Sequence, residues 1–249
     1  MKILVTAGNT QTTVDRVRCI TNIFSGRTGA QVAAKAFDRG NTVVLLSSHQ
    51  EVLDSIPFSR VRTSPEWRVR NYRTFDDLDA AMGEEITRNH FDVVIHAAAV
   101  SDYSVAGIFS LAPGTSFEST ELTWEDVGER PRLVDASTGK VKSSYPELWL
   151  RLVPTPKLVD KIRPVWGFRG ILVKFKLEVG MSDTDLLELA ERARLHSGAD
   201  LMTANTLEGM HDWAFIGAGA NGFRKVNRSE LSDRLLDDVE ALAGLRDVT

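Results

Sequence analysis

This sequence is short of three features that many functions require. It has one cysteine, Cys19, so no disulfide can form within the chain and no multi-cysteine metal site exists. No uncharged apolar run approaches the about 18 residues that would predict a membrane-spanning helix. The net charge of −4 gives no general attraction to nucleic acids or anionic membranes. Together with an amino terminus that becomes polar too early for a signal peptide, these shortages predict a cytoplasmic protein.

Several familiar motifs are missing as well. A dinucleotide fingerprint needs G-x-G-x-x-G directly after the first strand, but Gly8 stands alone and Gly26 and Gly29 come 18 and 21 residues later. There is no G-x-x-x-x-G-K-[ST] phosphate loop, and no tyrosine has a lysine four residues after it. The histidines show no metal-ligand spacing. A nicotinamide-dependent oxidoreductase is therefore disfavoured and stays open only because such enzymes share an α/β pattern of elements.

What is present is an alternation of strands and helices. Short apolar runs predict buried strands, and apolar residues at helical spacing predict helices between them. This order indicates an α/β fold with a doubly wound, Rossmann-like, mostly parallel sheet. The predicted strands are residues 2–6, 42–47, 68–72, 92–97, 147–153, 170–178 and 200–205, with a hairpin over 213–226. The predicted helices are residues 26–39, 75–89, 155–162, 182–197 and 229–242.

The alternation stops at about residue 104. Residues 104–138 contain glycines and prolines with little periodicity. A loop of this length inside a compact domain is usually a lid, a subdomain or a disordered segment. We therefore predict one α/β domain over residues 1–249 with an inserted flap at about 104–153.

A phosphate site is predicted at the start of the first helix. Ser25, Gly26 and Gly29 precede an alanine-rich helical run, and glycines at a helix start let backbone N–H groups approach an anion. A tight turn that happens to precede a helix explains the same residues equally well. Ligands of open α/β sheets bind beyond the carboxyl ends of the strands. Four polar turns should gather there, at residues 6–10, 98–103, 175–178 and 204–206.

Three further polar residues each have two interpretations. Asn22 offers an amide donor to an acyl oxygen that gains charge, and Arg18 offers a partner for a carboxylate or phosphate. Lone loop residues of these types are more often turn formers or solvated charges. Asp102, beside the small residues 97–99, could hold a ribose hydroxyl, a cation or an amine, or it could cap a local turn.

Two lysines and two other residues complete the candidates. Lys140 and Lys142 flank one residue of an extended segment, so their side chains project from the same face. Two cations on one face suit a triphosphate, but they are also typical of lysines that protect an edge strand from pairing. His96 lies in an apolar strand and is interpreted as a hydrogen-bonded core residue. Cys19 has no obvious base nearby and is interpreted as a small apolar residue.

Six segments in order resemble phosphopantothenate–cysteine ligase (phosphopantothenoylcysteine synthetase), nearly from end to end. The resemblance is closer to stand-alone and eukaryotic-like members than to bacterial fusions. Those fusions carry an amino-terminal flavin decarboxylase that this sequence lacks, so no flavin is expected. The matching segments are ILVTAGNT (3–10), VRCITNIFSGRTG (17–29), AAAVSDY (97–103), GKVKSS (139–144), VKFKLE (173–178) and ADLMTAN (199–205).

The resemblance implies a reaction and its partners. A ligase of this family would activate 4′-phosphopantothenate with CTP or ATP, release pyrophosphate, and transfer the acyl group from the acyl-nucleotide to cysteine. Mg²⁺ would bridge the phosphates, held mostly by the substrate. The family is dimeric, so a homodimer is expected, with part of its interface in the flap.

The resemblance also implies roles for individual residues. The nucleotide phosphates would lie against Ser25, Gly26 and Gly29, with Gly8 beside them. Phe175 and Asn205 would hold the base, and Ala98, Ala99 and Asp102 would line the pocket of the acyl-nucleotide. Asn22 would bind the acyl carbonyl, and Lys140 would contact the phosphates from the flap. Arg18 would reach the phosphopantothenate site of a second subunit.

Four positions depart from the family pattern. Asn9 replaces the second glycine of the first turn, and Phe24 stands where a hydroxyl residue is usual. Arg192 and His196 stand where related chains often carry lysines. These departures leave a catalytically divergent nucleotide-binding protein of the same fold as the alternative.

Overall fold

The computed structural model describes residues 1–58, 60, 63–124, 132–218 and 222–246. Packing divides the chain into two compact units. We call them the core unit, Met1–Thr10, Ile23–Val100 and Lys157–Thr249, and the insert unit, Gln11–Asn22 and Ser101–Pro156. The segment predicted as a flap, residues 104–153, belongs to the insert unit.

Strands outnumber helices in the described residues. The strands are β1 (Lys2–Ala7), β2 (Gln11–Thr13), β3 (Cys19–Thr21), β4 (Thr42–Ser47), β5 (Trp67–Asn71), β6 (Val93–His96), β7 (Tyr103–Leu111), β8 (Phe117–Glu118), β9 (Thr123–Trp124), β10 (Leu133–Asp135), β11 (Trp149–Pro154), β12 (Ile171–Glu178), β13 (Leu201–Thr206), β14 (Trp213–Gly217) and β15 (Phe223–Asn227). The α-helices are α1 (Arg27–Asp38), α2 (Phe75–Arg88), α3 (Val159–Ile162), α4 (Asp183–Ser197) and α5 (Leu231–Arg246), with 3-10 turns at Gln50–Ser55 and Arg228–Glu230.

The core unit is built on one eight-stranded sheet in the order β5-β4-β1-β6-β12-β13-β14-β15. The first six strands of this order pair in parallel, and β14 and β15 add an antiparallel hairpin at one edge. Numbered by their order in the chain, the parallel strands run 3-2-1-4-5-6. This is the doubly wound arrangement, and it confirms the predicted fold class. The strand order reverses between β1 and β6, which is where such sheets bind ligands.

Alternating side chains on the parallel strands divide the core between the two faces of the sheet. On β1, Ile3 and Val5 pack with Phe37 of α1 and the apolar side of α5, whereas Leu4 packs with Met82 of α2 and with α3. The same alternation continues on β4, β6 and β12. Because both faces are covered, these strands read as continuous apolar runs, as buried parallel strands do.

The insert unit is all β within the residues that are described. Its three-stranded antiparallel sheet has the order β10-β7-β11, and two short hairpins pair β2 with β3 and β8 with β9. The pairing of β11 with β7 shifts register between Arg151 and Leu152, so that Ala106 of β7 has no residue opposite it in β11. The rings of Phe117, Trp124 and Trp149 form a cluster, with centroids 5.0–5.1 Å apart, that holds β8 and β9 against β11.

Two predicted elements are wrong. Residues 103–111 form the nine-residue strand β7 where a loop is predicted, because β7 pairs on both sides with strands that lie far along the chain. The helix predicted over 155–162 is a single turn, α3, because the N–H and the hydroxyl of Thr155 donate to the carbonyls of Asp102 and Ser101 and keep the start of this segment out of a helix. The hairpin β2–β3 lies between β1 and α1, where neither a strand nor a helix is predicted.

Candidate functional site

A cavity of about 640 Å³ lies in the core unit at the carboxyl ends of the parallel strands. The cavity lies where the strand order reverses, between β1 and β6, because its lining includes Gly8, which follows β1, and the turn at 97–99, which follows β6. The predicted site residues that line it are Gly8, Ser25, Gly26, Gly29, Ala98, Ala99, Phe175 and Asn205. The other lining residues are Ile23, Phe24, Arg27, Thr28, Gln31, Ala97, Lys176, Leu177, Met210, His211 and Arg228. The structure thus brings eight of the predicted residues together, while their roles stay predictions.

Glycines allow the start of α1 to touch the end of β1. Gly8 and Gly26 have positive φ values of 96° and 80°, a region that side chains rarely adopt. A Cβ atom on Gly26 would lie 1.9 Å from the backbone nitrogen of Gly8, and one on Gly29 would lie 2.8 Å from the Cβ of Ala7. The floor of the cavity is therefore bare backbone, which a ligand can approach closely.

The start of α1 is left open. Its N-cap residue, Gly26, makes no side-chain capping bond, and its first turn contains no acidic residue. The first N–H groups of a helix have no acceptor within the helix, and the helix dipole concentrates positive potential there. Since this end faces the cavity, its chemistry suits a phosphate or another anion.

Charged side chains add to the positive potential at the cavity. Arg27, Lys176 and Arg228 line it, and none of the described residues that line it is Asp or Glu. This contrasts with the chain as a whole, which carries a net charge of −4. Lys176 is paired with Glu178 at 2.7 Å, but Glu178 is outside the lining. A local concentration of cations in an acidic protein indicates an anionic ligand.

Sequence reasoning missed Arg228. It is half-buried, its guanidinium donates to Oγ1 of Thr28 in the first turn of α1, and burial lowers its pKa from the ordinary value. The only signal was an arginine just before the last helix, and such residues are common on protein surfaces. Its partner lies at the other end of the sequence, so no local pattern could have paired the two.

One side of the cavity is suited to an aromatic ligand. Phe175 on β12 is partly buried and packs against the main core, and Asn205 on β13 is buried with its Nδ2 donating to the carbonyl of Thr206 at 3.2 Å. Met210 and His211 follow on the next turn. An apolar ring beside an amide is a suitable environment for a flat, polar heterocycle.

A buried chain of hydrogen bonds holds the turn after β6. The N–H of Ala98 donates to Oγ1 of Thr6 at 3.2 Å, and this hydroxyl lies 2.9 Å from Nδ1 of His96. Burial, followed by the nearby charge of Lys174, lowers the pKa of His96 to about 4. The imidazole is therefore neutral near pH 7, and its burial together with its hydrogen bond to Thr6 confirms that His96 is a hydrogen-bonded core residue.

Four predicted site residues belong to the insert unit. Arg18 donates to Asp15 Oδ2 at 2.6 Å and to the carbonyl of Val141 at 2.7 Å, and the N–H of Val141 returns a bond to Asp15 at 3.0 Å. The Arg18 guanidinium, with the N–H of Val17, holds the pKa of Asp15 well below its usual range. This network ties the segment that carries Lys140 to the β2–β3 hairpin.

The other two lie at strand ends of the same unit. Asn22 follows β3 and is half-buried. Asp102 is exposed just before β7, and its carbonyl accepts a bond from the N–H of Thr155 at 2.9 Å. Lys140 is exposed beside the buried Val141. Cys19, interpreted from the sequence as a small apolar residue, is exposed, because the short hairpin that carries it leaves all three residues of β3 exposed.

The departures from the family pattern fall in different places. Asn9 is buried, its N–H donates to Ser48 Oγ at 2.9 Å, and it is outside the cavity lining. Phe24 lines the cavity. His196 on α4 lies 3.4 Å from Asp160, and Arg192 lines a different pocket. Of the four, Phe24 is therefore the one that changes the cavity wall.

The described residues contain neither a metal-binding cluster nor a membrane-spanning helix. Among them, no group of three or more His, Cys, Asp or Glu side chains is arranged to hold a metal ion. No helix in the described ranges combines the length and apolar character needed to cross a membrane.

Comparison with known proteins identifies relatives along the whole chain. The family model for the DNA/pantothenate metabolism flavoprotein C-terminal domain matches residues 1–110. The coenzyme A biosynthesis bifunctional protein CoaBC of Thermococcus kodakarensis is 31% identical over 97% of this chain, which covers 51% of that protein. The chain thus spans about half the length of the curated relatives it matches.

Solved structures agree with the sequence relatives. The DNA/pantothenate metabolism flavoprotein of Streptococcus pneumoniae is 25% identical, with a TM-score of 0.76 over 97% of this chain and 99% of that one. A Cab2 variant in complex with phosphopantothenate-cysteine shares the fold at 16% identity, with a TM-score of 0.67 over 98% of this chain and 86% of that one. These findings confirm the resemblance inferred from the motifs, and the chain belongs to the family of phosphopantothenate–cysteine ligase domains.

Proposed function

We propose that this chain joins 4′-phosphopantothenate to cysteine in coenzyme A biosynthesis, using a nucleoside triphosphate. The observation that carries the proposal is the cavity at the reversal of strand order, which combines an uncapped helix start with cations and no lining carboxylate among the described residues. The relative from Thermococcus kodakarensis is named for coenzyme A biosynthesis, which supports the same pathway. The motif resemblance supports the ligation step within it.

The reaction would proceed in two half-reactions. A carboxylate oxygen of phosphopantothenate attacks the α-phosphorus of CTP or ATP, the bond from that phosphorus to the β-phosphate breaks, and pyrophosphate leaves. The amine of cysteine then attacks the acyl carbon, loses a proton, and expels the nucleoside monophosphate. No protein nucleophile is needed, so catalysis would rest on positioning and on stabilising charge.

The cavity residues would hold the nucleotide. The backbone at Gly8, Gly26 and Gly29, with the hydroxyl of Ser25, would contact the phosphates, since this is where bare N–H groups face the cavity. Phe175 and Asn205 would hold the base. Ala98 and Ala99 would leave room for the acyl-nucleotide, because their side chains are small.

The insert-unit residues would act on the acyl end. Asn22 would donate to the carbonyl oxygen as charge develops there, and Lys140 would meet the phosphates. Asp102 would contribute to the acyl-nucleotide pocket. Arg18 would reach the phosphopantothenate of a second subunit in a homodimer. These four roles rest on the motif resemblance.

Mg²⁺ would enter as part of the nucleotide substrate. The described lining offers no carboxylate, and Mg²⁺ prefers oxygen ligands of this kind together with phosphates and water. The lining therefore fits the phosphate anion rather than a resident metal ion. The ion would be held mostly by the triphosphate, with one or two carboxylates at most from elsewhere.

A homodimer would use the exposed apolar surface of the insert unit. Leu133 and Val134 on β10, and Leu150 and Leu152 on β11, are 37–48% exposed. Exposed apolar patches of this kind mark interaction surfaces. Light scattering coupled to size exclusion should give twice the chain mass of 27.6 kDa, and a monomer at micromolar concentration would contradict the homodimer.

Pyrophosphate release tests the proposed function. With phosphopantothenate and CTP or ATP but without cysteine, release should stop near one equivalent per site, because the acyl-nucleotide cannot discharge. Cysteine should convert this burst to continuous turnover. Pyrophosphate release that does not depend on phosphopantothenate would contradict the ligase proposal. Tight nucleotide binding with no release would instead indicate the catalytically divergent protein that Phe24 in the cavity wall suggests.

Substitution of Asn22 tests the catalytic step. Asn22→Ala should slow turnover by about 10²–10³-fold, the loss seen when an oxyanion donor is removed. Nucleotide affinity, measured by calorimetry, should stay within a factor of about three, which also shows that the variant is folded. An unchanged turnover rate would remove Asn22 from the mechanism.

A further inference from the structure

We propose that Arg228 is a phosphate-binding residue of the cavity and anchors the phosphate chain of the nucleotide. The proposal deepens the proposed function, on which it rests for the identity of the ligand. Arg228 lies outside the six segments that resemble the family motifs. The evidence for it comes from its backbone position, its partners and its surroundings.

The backbone of Arg228 is fixed next to the cavity. The residue opens the 3-10 turn between β15 and α5, and its N–H donates to the carbonyl of Asp212 at 2.8 Å. The preceding residue, Asn227, pairs with Trp213 across the β14–β15 hairpin. The hairpin therefore holds the guanidinium on its side of the cavity without help from a ligand.

The guanidinium is half-buried, and no carboxylate of the described residues pairs with it. A guanidinium has five N–H donors, and the side-chain bond of Arg228 within the described residues goes to the neutral hydroxyl of Thr28. Other half-buried arginines of this chain are neutralised. Arg39 reaches three carboxylates, Arg163 is 2.7 Å from Asp200, and Arg194 is 2.7 Å from Glu191. A buried cation without a counter-charge is costly, so an anion that completes it is strongly favoured.

The position of Thr28 specifies which anion fits. Thr28 is the second residue of α1, so the guanidinium lies at the same helix end as the open N–H groups of the first turn. A phosphate there would accept hydrogen bonds from the guanidinium and from these N–H groups. The planar guanidinium can donate two parallel hydrogen bonds to one phosphate. Lys176, in contrast, already has Glu178 as a partner. Arg228 is therefore the more effective cation for the phosphate chain.

The test compares ligands with and without phosphates. Binding of CTP, ATP, inorganic pyrophosphate and the nucleosides cytidine and adenosine is measured by calorimetry on wild type, Arg228→Gln and Arg228→Lys. Arg228→Gln should weaken triphosphate and pyrophosphate binding by about 10–100-fold, the value of a charged hydrogen bond, and leave the nucleosides unchanged. Arg228→Lys should fall between, since lysine keeps the charge but loses the planar fork.

The control is Arg169→Gln. Arg169 is exposed and precedes β12 at the amino end of the sheet, away from the cavity edge, so its loss should leave all affinities unchanged. Circular dichroism and urea unfolding check that each variant is folded. Arg228→Lys, which keeps the charge and most of the length, carries the test if Arg228→Gln does not fold.

The outcomes separate this inference from the proposed function. Equal triphosphate affinity in wild type and Arg228→Gln overturns the inference and leaves the ligase proposal standing. Pyrophosphate binding that depends on Arg228, without any nucleotide-driven ligation, supports the inference and contradicts the ligase. A wild type that binds neither pyrophosphate nor nucleotide overturns both.

Discussion

Helices α1 and α2 both follow strands of the same parallel sheet, but their first turns are built in opposite ways. Helix α2 is capped by Thr74, whose hydroxyl accepts from the N–H of Asp77 at 3.2 Å while the Asp77 carboxylate accepts from the N–H of Thr74 at 2.9 Å. Helix α1 has Gly26 at the corresponding position, with no side-chain cap and no acid in its first turn.

The difference separates a helix start that is capped by its own side chains from one that is left open. Helix α2 supplies its own acceptors and its own negative charge, as does α4 through Ser182, Asp183 and Asp185. Helix α1 gives up this stabilisation, about 1 kcal/mol for a cap, and gains a surface that can accept a phosphate. The glycine of the family motif, Gly26, therefore leaves the start of α1 without the side-chain cap that α2 and α4 have.

Filling the open start should have the largest effect. Gly26→Ala forces a side chain into a left-handed conformation and against the backbone of Gly8, so we expect a loss of about 2–5 kcal/mol in the free energy of unfolding and loss of nucleotide binding. Urea unfolding and calorimetry measure both. Gly40→Ala is the matched control, because Gly40 also has a positive φ of 89° but a Cβ there meets nothing within 4 Å.

Gly40→Ala should cost about 1–2 kcal/mol and leave nucleotide binding intact. Equal effects of the two substitutions would mean that backbone strain alone, and not the close approach of α1 to β1, explains Gly26.

The carboxyl ends of β1 and β6, where Thr6 contacts His96, should be sensitive to acid. The folded pKa of His96, about 4, is below the ordinary 6.5, so the unfolded chain binds the extra proton between these values. Stability is then complete above pH 6.5 and falls as the pH drops toward 4, by about 3 kcal/mol. Urea unfolding at pH 7 and pH 4 should show this loss in wild type and a smaller one in His96→Gln. Parallel losses in the two proteins would contradict the buried neutral imidazole.

Removing the cap of α2 should affect stability alone. Thr74→Ala deletes the hydroxyl that accepts from Asp77, so unfolding should become easier by about 1 kcal/mol, with no change in nucleotide affinity. Ser182→Ala at the start of α4 is a matched control and should behave alike, because its hydroxyl accepts from Asp185. A marked loss of nucleotide binding in Thr74→Ala would show that the two helix starts do not differ in function.

Giving α1 the charge that α2 has should separate stability from binding. Thr28→Asp places a carboxylate in the first turn, where it would favour the helix dipole and pair with Arg228, for a gain of about 0.3–1 kcal/mol. The same charge should repel a triphosphate and reduce its affinity. Thr28→Asn, similar in shape but neutral, should retain binding. A Thr28→Asp variant that binds CTP and ATP as wild type does would contradict a phosphate site at this end.

Much of the fold could be predicted from the sequence, because local signals determined it. Helix α4 ends at the residue predicted and begins one residue later than predicted, since Ser182 caps it and Gly198 closes it in a left-handed conformation with φ of 64°. All six parallel strands overlap predicted ones, and four of them, β1, β4, β6 and β12, carry buried apolar side chains on both faces. Strand β7 was missed because its stability comes from pairing with two distant strands, which a local pattern does not contain.

The site was predictable to the extent that it lies on strand ends and glycines. Gly26 and Gly29 were identified because close backbone approach requires glycine, whereas Phe175 and Asn205 were identified through the resemblance to the ligase family. Arg228 was missed because a single arginine has no pattern. Its importance comes from burial beside Thr28, which only the folded chain shows.

The hydrogen bond between Arg228 and Thr28 joins residues 200 positions apart. At usual rates of translation, the ribosome would add the arginine roughly 10–40 s after the threonine. Throughout that interval a nascent chain carries the glycines of the cavity floor without Arg228. If Arg228 anchors the phosphate chain, a nascent molecule binds polyphosphate about 10–100-fold more weakly until residue 228 has been added and has packed against Thr28.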